Sequence, residues 1–229
     1  MKSSEGTAEQ KRRAGEAAAE AVEDGMVVGL GTGSTAAHAI RAIGRLVEDG
    51  FDVRGIPTSY QSRELAIESG VPLTALDEAD GVALAIDGAD QVASGQLIKG
   101  GGAAHAREKI VDASADRLLI VADPSKRAEA LSRPVPVEVL PDARPLVEGR
   151  ISDLGGDPAL RAAERKDGPV VTDNGNLVLD CDFGRIDDPA GLADALATVP
   201  GVVAHGLFVD LADAVYVGTG DGVEVTRFD

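Results

Sequence analysis

The chain has 229 residues, with 39 Asp and Glu against 22 Lys and Arg, a formal net charge of −17 at pH 7 and only 3% aromatics. A surface this acidic repels nucleic acid and anionic membranes, and no run of about 18 apolar residues is present to span a bilayer. The acids are dispersed rather than gathered into a tail, a pattern suited to a salt-rich cytoplasm where screening relieves self-repulsion. The single cysteine, Cys181, leaves no internal disulfide and no multi-cysteine metal cluster, and reads as a small apolar strand residue. The opening Met1-Lys2-Ser3-Ser4-Glu5-Gly6 lacks the apolar stretch of a secretory signal, so the expected location is cytoplasmic.

In chain order, Ala8 to Val22 is rich in Ala, Glu and Arg and reads as a helix stopped by Asp24-Gly25. Met26 to Leu30 is a short apolar strand, followed by a Gly-rich turn and a helix over about Ser34 to Glu48. Val53 to Ile56 reads as a second strand and Gln61 to Ser69 as a second helix. Val82 to Ile86 is an apolar strand running directly into Asp87, and a helix is expected over about Ala103 to Ala113. Leu118 to Val121 is another apolar strand. Continuous apolar strands alternating with helices argue for a parallel sheet covered on both faces.

The pattern changes after about residue 130. Arg133 to Val139 holds two prolines and suggests a linker leading into an edge strand. A helix is expected near Arg144 to Leu154, then a hairpin in which Val170 to Thr172 and Leu177 to Leu179 flank Asp173-Asn174-Gly175-Asn176. A further helix near Pro189 to Thr198 stops at Pro200-Gly201, and Val202 to Ala204 resumes a strand. This block reads as a small α+β unit inserted into the larger domain. Strands near Ala214 to Val217 and Val223 to Thr226 are expected to return to the first sheet. The implied boundaries are 1–130 plus 205–229 for the main domain and 131–204 for the insertion.

Four segments carry candidate chemistry. Gly29 to Thr35, a strand ending in Gly-x-Gly-x-Gly-Ser-Thr before a helix, offers backbone N–H groups and the hydroxyls of Thr32, Ser34 and Thr35 around Gly33, an arrangement suited to a phosphate. The lysine of a P-loop is missing, and the third glycine falls at 33 where a dinucleotide fingerprint needs it at 34, which disfavours a nicotinamide enzyme. Asp87-Gly88-Ala89-Asp90 places two carboxylates at the carboxyl edge of a strand, where open α/β sheets hold ligands. Lys99-Gly100-Gly101-Gly102 brings a cation to a backbone open to close approach, and Glu108 follows in the second turn of the expected helix, as a general base would. Asp123-Pro124-Ser125-Lys126, just after the strand at Leu118 to Val121, is the fourth segment. His38, His105 and His205 show no ligand spacing and read as surface or incidental, so no metal is expected.

The order GxGTGST, DGAD, KGGGAA, REK and ADxSK, followed by VxVEVxP and VVTDNGN, resembles ribose-5-phosphate isomerase of the A type. The resemblance runs from about residue 20 to the C-terminus. It implies a Rossmann-like parallel-sheet domain with an inserted smaller α+β (ferredoxin-like) domain. It also implies a homodimer or homotetramer with no cofactor and a sugar phosphate as substrate. Carried over, Glu108 is the base, while Thr32 to Thr35, Asp87 to Asp90, Lys99 to Gly102 and Lys126 contact substrate. His105-Ala106 stands where some members carry Leu-Thr, and Pro57 to Ser62 departs from the Ser-rich stretch of some bacterial members. A sugar-phosphate sensor without catalysis is the competing class, disfavoured by the lack of a basic DNA-binding helix.

Overall fold

A computed structural model describes residues 6–228. Met1 to Glu5, most of the opening segment taken above as lacking a signal, lie outside the described residues. The first helix, α1 (Ala8–Ala19), starts with a reciprocal cap: Thr7 Oγ1 accepts from Gln10 N, and Gln10 Oε1 accepts from Thr7 N at 2.8 Å. There follow β1 (Val27–Leu30), α2 (Ala36–Glu48), β2 (Arg54–Pro57), α3 (Tyr60–Glu68) and β3 (Leu84–Gly88). The chain continues through β4 (Gln91–Ala93), β5 (Gln96–Ile98), α4 (His105–Ala113) and β6 (Leu118–Ala122). Then come β7 (Val135–Val139), α5 (Arg144–Asp153), β8 (Asp157–Leu160), β9 (Leu177–Asp182), α6 (Pro189–Ala197) and β10 (Val202–His205). The last strands are β11 (Leu207–Phe208), β12 (Ala214–Gly218) and β13 (Val223–Arg227).

The chain divides into two compact units. The first comprises Met1–Ala89, Ile110–Arg127 and Leu211–Asp229; the second comprises Asp90–Lys109 and Ala128–Asp210. The segment 131–204 lies within the second unit, which also takes in Asp90–Lys109.

The first unit is a six-stranded sheet in the order β13-β12-β6-β3-β1-β2, parallel throughout except for β13 at one edge. Strand residues alternate between faces, which explains the two cores. Val28, Leu30, Leu84, Ile86, Leu119 and Val121 pack on α1 and α2, while Val27 turns to the other face with Ile56, Val82 and Val111 of α4. Small residues let α1 approach α2 closely: a Cβ on Gly15 would stand 2.8 Å from Ala39 N. The chain leaves β1 toward β2 on one side, and β3 lies on the other. The reversal in strand order therefore falls between β1 and β3, and in open α/β sheets ligands bind at the carboxyl ends of such a pair.

The second unit contains a β-α-β-β-α-β run, β7 to β10, with sheet order β10-β7-β9-β8, the ferredoxin-like arrangement. Its core joins Val135, Val137, Val139, Leu179 and Cys181 to Val147, Ile151 and Leu196 of the helices. A three-stranded sheet, β11-β5-β4, completes it.

Three local expectations are corrected. Strand β7 is interior, pairing with both β10 and β9, despite Pro136. The hairpin at Asp173 to Asn176 keeps its turn, with Gly175 N donating to Thr172 O, but its first arm is reduced to a single bridge, Val171 to Leu177. The ladder of β9 is taken instead by β7 and β8. Helix α4 begins at His105 rather than Ala103, because Ala103 has φ +59°, outside the helical region.

Candidate active site

In the first unit, the Gly-rich turn after β1 is built around Asp87 at the end of β3. Asp87 is fully buried, and its Oδ1 accepts from Thr32 N at 2.9 Å and Gly88 N at 2.6 Å. Gly31 makes this possible, since a Cβ there would lie 2.2 Å from Asp87 Oδ1. Gly33 holds φ +114°, a conformation that side chains rarely adopt. The Thr32 hydroxyl is engaged within the turn, 2.8 Å from Thr58 Oγ1 and 2.6 Å from Ser59 Oγ. Thr32 thus shapes the loop, while Ser34 is exposed and buried Thr35 makes no side-chain cap bond on α2. In the sequence Thr58 and Ser59 stand out only within Pro57 to Ser62, as a departure from some family members and not as partners of Thr32; a local signal for them is the Ser59/Ser62 cap of α3. Lys126 ends a 3-10 turn after β6, half-buried, with its N–H on Asp123 O at 3.1 Å.

In the second unit, Lys99 and Glu108 are brought together. Lys99 Nζ lies 3.5 Å from Glu108 Oε2, with both side chains at least 95% buried. Because α4 starts at His105, Glu108 sits in its first turn, not its second as expected, where the positive helix end favours a carboxylate. The Lys99 ammonium also lies 5.2 Å from the Phe208 ring centroid, and that of Lys109 lies 4.9 Å from the same ring. Lys109 donates to Leu207 O at 2.9 Å, and burial lowers its pKa to about 8.

Backbone chemistry fixes where Lys99 stands. Gly206 N donates to Pro136 O at 2.7 Å, and an ordinary residue at 136 would return an N–H to the Gly206 carbonyl. Pro136 has no N–H, and that carbonyl accepts from Lys99 N at 2.9 Å instead. A Cβ on Gly206 would lie 2.2 Å from Lys99 O, so only glycine fits. The neighbouring loop is equally constrained: Asp90 Oδ2 accepts from Gly101 N at 2.7 Å, and a Cβ on Gly100 would strike His105.

Two histidines are corrected from incidental surface residues to buried ones. His105 is fully buried and His205 nearly so, and desolvation holds both near pKa 3, so they are neutral at physiological pH. Among the described residues, no group of three His, Cys, Asp or Glu side chains is arranged to hold a metal ion.

The motif order and this geometry agree with the comparisons. The model of the family described as ribose 5-phosphate isomerase A (phosphoriboisomerase A) matches residues 54–222. The chain belongs to the ribose-5-phosphate isomerase A family. It is 68% identical over 225 residues to ribose-5-phosphate isomerase A from Natronomonas pharaonis, covering 98% of this chain and all of that protein. The counterpart from Haloarcula marismortui is 71% identical over 215 residues, 94% of each. Among solved structures, ribose 5-phosphate isomerase A from Methanocaldococcus jannaschii superposes with a TM-score of 0.92 at 45% identity, covering 96% of this chain and 98% of that one. A D-ribose-5-phosphate isomerase in complex with phospho-erythronic acid superposes at 0.94 with 43% identity, covering 96% of this chain and 98% of that one.

Proposed function

We propose that this isomerase interconverts D-ribose 5-phosphate and D-ribulose 5-phosphate through an enediolate, with Glu108 moving the proton. The observation that carries the assignment is the buried Lys99–Glu108 pair at the head of α4. A carboxylate of Asp87 or Asp90 assists opening of the sugar ring by taking the anomeric hydroxyl proton as the C1–O4 bond breaks, and that proton passes to O4. Glu108 then removes the proton from C2; the C–H electrons form the C1=C2 bond and the carbonyl π electrons move to O1. A proton passes from the C2 hydroxyl to O1, and as the carbonyl re-forms at C2 the C1=C2 electrons take the proton back from Glu108 at C1. The Lys99 ammonium and the N–H groups of Gly100 and Gly102 stabilise the oxygen on which charge develops, the Gly101 N–H being bonded to Asp90. A positioned base contributes about 10²–10⁴-fold and one oxyanion donor about 3–4 kcal/mol.

Ser34, Thr35, the N–H groups of the Gly33 turn and Lys126 hold the phosphate, while Thr32, Gly88 and Ala89 shape the backbone at the two strand ends. The phospho-erythronic acid bound by the solved relative supports an enediolate route, because a carboxylate next to a hydroxyl-bearing carbon has the planar, charged form of that intermediate. Further parts of the proposal are operation in the non-oxidative branch of the pentose phosphate pathway, a cytoplasmic location, a homodimer or homotetramer, and catalysis without metal or cofactor. Dispersed acidity and 63–71% identity to halophilic relatives support adaptation to salt. The test is conversion of ribose 5-phosphate in molar potassium chloride with a chelator present. Ketose formed by the wild-type chain and lost in Glu108→Gln is expected; near-normal turnover by that variant overturns the assignment.

A further inference from the structure

Arg161 follows β8, and its own backbone is tied down: its N–H donates to Val178 O at 2.9 Å and its carbonyl accepts from Val170 N at 2.9 Å. Its guanidinium forms a two-point fork on Asp180 of β9, Nε donating to Oδ2 at 2.9 Å and Nη2 to Oδ1. That leaves Nη1 aimed at the glycine loop, where it donates to Gly100 O at 2.9 Å and Gly101 O at 3.2 Å. The Arg161 side chain is 15% exposed.

We propose that Arg161, braced by Asp180, is a positioning residue that holds the Lys99–Gly102 loop ready to receive a negatively charged substrate oxygen. The inference rests on the isomerase reading above. A trans peptide points its C=O and N–H in opposite directions. With the Gly100 and Gly101 carbonyls drawn to Arg161, the N–H of Gly101 faces Asp90, where it bonds at 2.7 Å, and the N–H of Gly102 turns away from Arg161. The Gly100–Gly101 peptide is thus pinned at both ends by charged groups on opposite sides. Three consecutive glycines have no Cβ to resist a peptide flip, and a flipped Gly101–Gly102 peptide would present the Gly101 carbonyl, in place of the Gly102 N–H, to the developing oxyanion. Only a planar fork performs both tasks: a lysine ammonium at 161 has no second edge with which to keep the Asp180 contact while reaching two carbonyls.

Because the brace acts on charge that develops during the reaction, its loss falls on kcat rather than KM. The test compares Arg161→Ala, Arg161→Lys and Asp180→Asn with the wild-type chain on ribose 5-phosphate, with thermal melts to establish folding. Arg161→Ala is expected to lower kcat about 10–100-fold with KM changed less than about threefold, the scale of a small misplacement at a reacting centre. Millimolar guanidinium is expected to restore part of that activity, and no activity in Glu108→Gln; ethylammonium restores neither. Arg161→Lys is expected to remain impaired, and Asp180→Asn to lose less than Arg161→Ala. Folded Arg161→Ala or Arg161→Lys within about twofold of wild-type kcat, or a loss confined to KM, overturns the proposal. Should Arg161→Ala not fold, Arg161→Lys decides. A wild-type chain without turnover instead overturns the isomerase reading, and this inference with it.

Discussion

The two units handle charge in different ways. In the first, buried carboxylates are met by main-chain N–H groups: Asp87 Oδ1 accepts from Thr32 N and Gly88 N, and Asp123 Oδ1 from Ser125 N. In the second, carboxylates meet cations: Glu108 faces Lys99, and Asp180 faces Arg161. Backbone donors are rigid and cost no side-chain entropy, which suits the phosphate-holding role proposed for the Gly33 turn. Paired charges suit a segment in which a proton moves and charge shifts from atom to atom. A buried base kept beside an ammonium already has its counter-charge in place and needs no reorganisation during the reaction. The lesson is that binding and chemistry draw on different polar groups, and variants should separate the two.

Glu108→Gln probes the second unit at its chemical centre and is expected to reduce kcat about 10²–10⁴-fold, measured as ketose formation, while the chain still folds. Gly31→Ala probes the first. Its Cβ would meet Asp87 Oδ1 at 2.2 Å, displacing the turn, with kcat/KM expected to fall about 10²-fold and KM to carry much of the loss. If the Gly31 variant instead loses kcat alone, the division between binding and chemistry is wrong. Gly206→Ala drives a Cβ toward Lys99 O and is expected to cost about tenfold in kcat, read in the same assay.

The smallest effect is on stability and concerns the histidines of the second unit. His105 and His205 have folded pKa values near 3 against 6.5 for a free histidine, so the unfolded chain binds more protons between those values. The stability from keeping them neutral is complete above pH 6.5 and is lost as pH falls toward 3, at up to about 1.4 kcal/mol per pH unit for each. His205→Gln is therefore expected to flatten the acid limb of a denaturant-melt series; an unchanged slope would place His205 in water. Lys109 has the same sign at higher pH: its folded value near 8 lies below 10.5, so stability rises between them as the unfolded chain loses its proton.

Much of the first unit was legible because its signals are local. A strand, a glycine turn and a helix follow one another in sequence, and hydrophobic period alone separates β1, β3 and β6 from the helices between them. The Lys99–Glu108 pair was legible in part, since nine positions of chain carry both groups, but the start of α4 at His105 was set by the positive φ of Ala103. The short strands β4, β5, β8 and β11 carried too few residues for a periodic signal; β4 and β5 pair as a tight hairpin, whereas β11 finds its partner β5 across the length of the second unit.

The sequence by itself determined the alternation of strands and helices and the family, and it supplied the candidates for the base, its lysine and the ligand-binding strand ends, because each rests on short-range pattern and residue type. Only the tertiary structure decided the rest. Pro136 reads as a sheet-edge residue until Lys99 N is seen to use the Gly206 carbonyl that the proline leaves vacant. The Thr32 hydroxyl looks like a phosphate donor until Thr58 and Ser59 engage it. Arg161, some sixty positions beyond the glycine loop, carries no local mark of its role. Hydrogen-bond partners are chosen by proximity in space, and a chain pattern records which groups are available, not which of them meet.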